Sequence, residues 1–178
     1  MYKVIIICGK AGSGKDTLLK KLNKDYYRVV STTTRPPREG EIDGKDYHFI
    51  SAKDFYKKVK EGEFLEYSLF NDWWYGTQIS DFKEDKINVF IANPDGIRAL
   101  LEKENFQVTI YYLTASKKTR LLRQLNRELN PDVDEIIRRY QADENDFDPS
   151  LKENNWIKQS ILLSNEDGED NSCLVTFN

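Results

Sequence analysis

Histidine, cysteine and long apolar runs are all scarce in this sequence of 178 residues, and each shortage excludes something. The single histidine, His48, stands between aromatic residues, with nothing beside it that suggests a metal ligand or a base. Two cysteines, Cys8 and Cys173, do not make a disulfide framework, so a reducing cytoplasm is the expected location. The longest N-terminal apolar run, Val4 to Cys8, is too short for a signal-peptide core or a membrane span. What remains, 39% hydrophobic and 32% charged residues, describes an ordinary globular protein of one domain.

The net charge of −3 is unevenly spread. Residues 10 to 38 hold eight cations against Asp16 and Asp25, while the acidic balance falls largely in the second half. A local basic field in an acidic chain suits a small anionic ligand better than a long nucleic acid, which wants a broader basic face.

Val4 to Cys8 reads as a strand buried on both faces of a parallel sheet, and Thr17 to Leu22 has helical spacing. Arg28 to Ser31 predicts a second short strand. Residues 32 to 83 turn polar and aromatic, with strand-like pieces at Tyr47 to Ile50 and Phe64 to Ser68. Between them a helix opens at Ser51, with Asp54 three residues on. Ile87 to Ala92, Val108 to Leu113 and Ile161 to Leu163 predict further core strands. A helix through Ile97, Leu100 and Leu101 joins the first two of these. Helices over Lys117 to Glu128 and Pro131 to Asp146 follow, the latter expected to start on Asn130 and Pro131. Strands alternating with helices predict an α/β fold with a mainly parallel sheet and no internal repeat.

Between the first strand and first helix lies Gly9-Lys10-Ala11-Gly12-Ser13-Gly14-Lys15, a G-x-x-x-x-G-K loop in the setting that motif requires. Its glycines let successive backbone N–H groups turn inward onto phosphate oxygens. The helix N-terminus adds partial positive charge, and Lys15 reaches the outer phosphates. Serine or threonine normally follows the lysine and meets magnesium. Here Asp16 stands there and Thr17 comes next. A carboxylate beside phosphates is repulsive unless a cation lies between them, so Asp16 is expected to bind Mg²⁺, directly or through water.

A second anion site is written further on. Arg35 and Arg38, with the hydroxyls of Tyr47 and Tyr75, have the chemistry of a phosphate clamp. The stretch Ser31-Thr32-Thr33-Thr34-Arg35-Pro36-Pro37-Arg38-Glu39-Gly40-Glu41 resembles the signature of the guanylate kinase family. It runs on through Gly44, Asp46-Tyr47-His48-Phe49, Gly62-Glu63-Phe64-Leu65-Glu66 and Tyr75-Gly76-Thr77. The resemblance implies a three-layer P-loop kinase fold: a core of residues 1–31, 84–114 and 148–178, an acceptor-binding insertion at 32–83, and a helical lid at 115–147. It implies ATP as phosphoryl donor, a purine nucleoside monophosphate as acceptor, and no nucleic-acid or membrane partner, in a monomer or homodimer. Arg35, Arg38, Tyr47 and Tyr75 match the acceptor-phosphate positions, and Ser31, Glu66 and Thr77 the base contacts. A carboxylate at Glu66 can accept together the N1–H and amino group that guanine presents side by side.

One stretch departs from that pattern. Where the family has D-x-D-x-x-G, this chain has Ile91-Ala92-Asn93-Pro94-Asp95-Gly96, so both aspartates are gone. Asp16 is a candidate replacement for the first, and Asn93, which both donates and accepts, bears on base choice. In the lid, Arg123 and Arg127 share a helix face and Arg138 and Arg139 follow, matching arginines that close over ATP. Asn165-Glu166-Asp167 matches the adenine-contacting loop, and no final helix is evident after it. Phosphorylation of GMP or dGMP is the leading expectation. A nucleotide kinase with shifted base choice and a non-catalytic protein-binding module are the alternatives.

Overall fold

The computed structural model describes residues 1–22, 25–37, 40–70, 72–127, 129–166 and 171–177, the side chain of Phe70 apart. Arg38, expected at the acceptor phosphate, and Asp167 lie outside the described residues.

The apolar run becomes strand β1 (Tyr2–Cys8), followed by helix α1 (Lys15–Lys21). Next come β2 (Tyr27–Arg28), β3 (Thr32–Thr33), β4 (His48–Phe49), helix α2 (Ala52–Lys60), β5 (Phe64–Phe70) and β6 (Trp73–Gln78). The second half supplies β7 (Ile87–Ile91), α3 (Pro94–Leu101), β8 (Phe106–Thr114), α4 (Lys117–Leu125), α5 (Val133–Asp146) and β9 (Ile161–Ser164). β2, β7, β1, β8 and β9 form one wholly parallel sheet in that order.

Alternation along β1 explains the layers. Val4, Ile6 and Cys8 point into one core with Phe90, Ile110, Phe147 and Trp156. Ile5 and Ile7 point into another with Leu18, Val89, Leu113 and Val175. A central parallel strand has both faces covered, so it reads as an unbroken apolar run. The segment after β9 closes the second core: Val175 is buried, and Tyr111 Oη donates to the Thr176 carbonyl at 2.8 Å.

Residues 32–78 build a second sheet, ordered β4, β3, β6, β5. β3 and β4 pair in parallel, whereas β6 runs antiparallel to both β3 and β5. Helix α2 packs on one face through fully buried Phe55, whose ring stacks on Phe64 at 4.4 Å and on Trp74 at 5.9 Å. Its N-cap is Ser51, whose Oγ accepts from the Asp54 amide at 3.1 Å.

Several boundaries differ from the sequence reading. The expected strand from Arg28 to Ser31 ends at Arg28, because the chain leaves the first sheet there to enter the second at Thr32. Strand β6 had no separate signal, since its two tryptophans and glycine do not alternate as a half-buried strand does. Helix α4 stops at Leu125 rather than Glu128. Helix α5 does not start on Asn130 and Pro131: its N-cap is Asp132, which accepts from the Glu135 amide at 3.0 Å. Aspartate caps as well as asparagine, and its use here leaves the proline just outside the helix.

Candidate active site

The phosphate loop is held by its own glycines. Gly9, Gly12 and Gly14 have φ of 144°, 78° and 95°. A Cβ at Gly9 would lie 2.3 Å from the Leu113 carbonyl oxygen, and one at Gly12 2.4 Å from that of Arg120. Those two positions therefore exclude side chains on conformation and on space alike. The Lys15 ammonium folds back over the loop, donating to the Gly9 carbonyl at 2.7 Å and the Lys10 carbonyl at 3.3 Å. Burial pushes its pKa down, Asp16 and Asp143 pull it up, and Arg139 adds to the lowering.

Asp16 and Thr17 are exposed in the first turn of α1. The field of Asp16 reaches Tyr47: burial pushes that phenol up, and Asp16 is the next largest contributor. The first turn of α1 thus lies within electrostatic reach of the second sheet.

On that sheet three of the four expected phosphate-clamp residues converge. The rings of Tyr47 and Tyr75 meet edge to face at 6.0 Å. Buried Arg35 lies 5.6 Å from the Tyr47 ring centroid and bonds to the Tyr75 side chain. Sequence reasoning missed its anchor: Arg35 Nη2 forks onto both oxygens of Glu41, each at 2.9 Å, while Nη1 donates to the Pro36 carbonyl. The only signal was a carboxylate six residues on, in a stretch with several charges.

The three residues expected at the base also meet. Ser31 Oγ and Thr77 Oγ1 are 2.9 Å apart, and Glu66 lies opposite Thr77 on the paired strands and is hydrogen-bonded by it. A register shift between Phe64 and Glu66 sets this facing. A bulge turns the strand by one residue, which carries Glu66 onto the face of Thr77 and leaves Leu65 in the core. Burial pushes the Glu66 carboxyl up to about 7, against the Thr77 hydrogen bonds. Asn93 proves to be the N-cap of α3: its Oδ1 accepts from the Gly96 amide at 2.9 Å, and its Nδ2 donates to Ser68 Oγ at 3.3 Å. Ile91 packs, partly buried, against the second core.

Around the loop, Arg123 donates to the Gly12 carbonyl at 3.3 Å and the Asn165 carbonyl at 2.9 Å, and Asn165 Nδ2 donates to the Ser13 carbonyl at 2.6 Å. Arg127 is exposed. Arg138 points outward and bonds Glu135 at 2.8 Å, whereas Arg139 is partly buried, pairs with the same Glu135 at 3.7 Å and is felt by Lys15. Two acids of α5 also reach the loop: Asp143 Oδ2 accepts from the Ala11 amide, and Glu144 pairs with Lys10 at 2.9 Å and Arg120 at 3.0 Å.

The guanylate kinase family model matches residues 1–169. A guanylate kinase of Aster yellows witches'-broom phytoplasma is 36% identical over 152 residues, covering 81% of this chain and 72% of the relative. One of Clostridium tetani is 44% identical over 112 residues, which span 61% of this chain and 54% of that relative. In fold, the crystal structure of guanylate kinase from Anaplasma phagocytophilum aligns with a TM-score of 0.67 at 18% identity, covering 97% of this chain and 82% of that one. With a glycine-built phosphate loop, a cluster of Arg35 with Tyr47 and Tyr75, and a family match over nearly its whole length, this chain belongs to the guanylate kinase family.

Proposed function

We propose that the protein transfers the terminal phosphoryl group of ATP to GMP or dGMP. The observation that carries this reading is a glycine-built phosphate loop together with a separate cluster of Arg35, Tyr47 and Tyr75, both inside the guanylate kinase family match. Phosphoryl transfer asks little covalent help of a protein. It requires two anionic substrates in line, neutralised charge and excluded water.

In this reading the backbone N–H groups from Gly9 to Asp16 and the Lys15 ammonium hold the ATP phosphates, with Lys10, Thr17, Arg123 and Asn165 around them. Arg35, Arg38, Tyr47 and Tyr75 hold the acceptor phosphate. Ser31, Glu66 and Thr77 read the base, while Asn93 supports that wall from the α3 cap. An ionised acceptor phosphate is already a nucleophile, so no general base is needed. Arg139 is the lid arginine that best fits a role at the transferring group: both it and Arg138 pair with Glu135, but Arg139 is the less exposed and the one whose charge acts on Lys15. Arg127 would join on lid closure.

Asp16 and Thr17 offer hard oxygen donors that fit Mg²⁺. Among the described residues no group of three or more acidic, histidine or cysteine side chains could hold a metal, so its other ligands would be phosphate and water. When bound, the ion neutralises phosphate charge. No helix among the described residues is long and apolar enough to cross a membrane. We assign the protein to the cytoplasm, where Cys8 and Cys173 remain thiols.

A coupled ADP-release assay with Mg-ATP and a panel of GMP, dGMP, AMP, dAMP and pyrimidine monophosphates tests the proposal. Turnover confined to GMP and dGMP is expected. Turnover of another base would reassign the acceptor, and none with any nucleotide would overturn the kinase reading.

A further inference from the structure

Asp143 is on the wrong side of the charge balance for an ATP site. Its carboxylate accepts a hydrogen bond from the Ala11 amide of the phosphate loop, although 132 residues separate the two. It also stands close enough to Lys15 to raise that ammonium's pKa. The next residue, Glu144, holds Lys10 of the same loop and Arg120 of α4. One helix therefore lays two carboxylates on a loop whose business is binding anions.

The same helix carries the opposite charge one turn earlier. Arg139 and Asp143 are four apart, hence on one helical face, and both act on Lys15. A cavity of about 300 Å³ adjoins, lined by Lys10, Lys117, Arg120 and Glu144 among others.

We propose that Asp143 is an internal counter-anion of the phosphate loop, a residue that sets ATP affinity by occupying an N–H and balancing Lys15 until the nucleotide arrives. The inference rests on the kinase reading of that loop. An incoming triphosphate meets the Asp143 carboxylate as a like charge and displaces it. A small rotation of α5 then brings Arg139 toward the phosphates in its place. The carboxylate thereby makes lid closure conditional on the nucleotide: without ATP, α5 is held by Asp143, and with ATP it is held by Arg139. Because the repulsion acts on the outermost phosphates, it weighs more on ATP than on ADP.

The test is calorimetric titration of the full chain with a non-hydrolysable ATP analogue and with ADP. It compares wild type with Asp143→Asn, Asp143→Ala and Asp134→Asn, the last removing an exposed acid from the far end of α5. Asparagine keeps the shape and an acceptor for the Ala11 amide, so it removes charge alone, and it carries the test where alanine unfolds α5. The inference expects the analogue to bind Asp143→Asn at least about tenfold more tightly, the effect of a unit charge about 12 Å away at the dielectric of a protein surface. A smaller gain is expected for ADP and no change for Asp134→Asn. A merely structural role would weaken binding, so equal or weaker affinity in Asp143→Asn overturns the inference and leaves the kinase reading standing. Failure of wild type and all variants to bind either nucleotide would instead bring down the kinase reading, and the inference with it.

Discussion

The two anion sites proposed for this molecule are built in opposite ways. The phosphate loop is one run of seven residues whose geometry comes from the backbone: glycines at positive φ, inward amides and a helix start. The acceptor clamp draws on residues from Ser31 to Thr77, and its groups are side chains brought together by a four-stranded sheet. A backbone site depends little on its side chains, so the loop keeps its form although Asp16 stands where serine or threonine is usual. A side-chain site depends on the register and packing of everything beneath it. Even its anchoring differs: Lys15 rests on carbonyls of its own loop, whereas Arg35 is forked onto Glu41.

The strongest test of this contrast is Lys15→Ala. It is expected to lower kcat by about 10²–10³-fold, the scale of losing one preorganised charge at the transferring group. Circular dichroism should be unchanged, because the loop's shape does not depend on that side chain. Arg35→Ala should act on both structure and binding. It is expected to lower kcat/KM for the acceptor about 10–100-fold, as for a lost charge-assisted bond, and also the melting temperature, because Glu41 loses its partner. An unchanged melting temperature would mean that the clamp is as self-supporting as the loop.

Glu66 sharpens the comparison through pH. Its carboxyl is raised to about 7 by burial, so below that pH the protonated form dominates and can no longer accept both guanine donors. The value of kcat/KM for GMP should therefore fall as pH drops through 7, while the affinity for ADP stays flat over the same range. The linkage to folding has the opposite sense. A raised carboxyl favours the folded state below its unfolded pKa, near 4.5, and that contribution is lost as pH rises through 7. Glu66→Gln should flatten both profiles, and a profile that persists in it would assign the titration to another group.

Asp16→Ala should shift the magnesium concentration giving half-maximal rate, and an unmoved requirement would remove Asp16 from the metal. The smallest effect expected is Ser51→Ala. It should cost about 1 kcal/mol of stability in denaturant unfolding, from loss of the α2 cap, with little change in ATP affinity.

The sequence by itself determined the elements whose signal is local. The β1 run, the G-x-x-x-x-G-K loop, the Ser51 cap and the alternation of strand and helix are each set within a few residues by sterics, hydrogen bonding or burial, and so they were legible. The identities of Arg35, Tyr47, Glu66 and Tyr75 were legible too, though not what held them. Only the tertiary structure decided that a bulge after Phe64 turns Glu66 toward Thr77, that Glu41 anchors Arg35, and that Asn93 caps α3. It also placed Arg139 rather than Arg138 within the field of Lys15, and laid Asp143 on the Ala11 amide. These are contacts between residues whose chemistry allows many partners, and a charged side chain takes the partner that packing brings within a few ångströms. Sequence spacing specifies that distance along one helix or strand and leaves it open between elements.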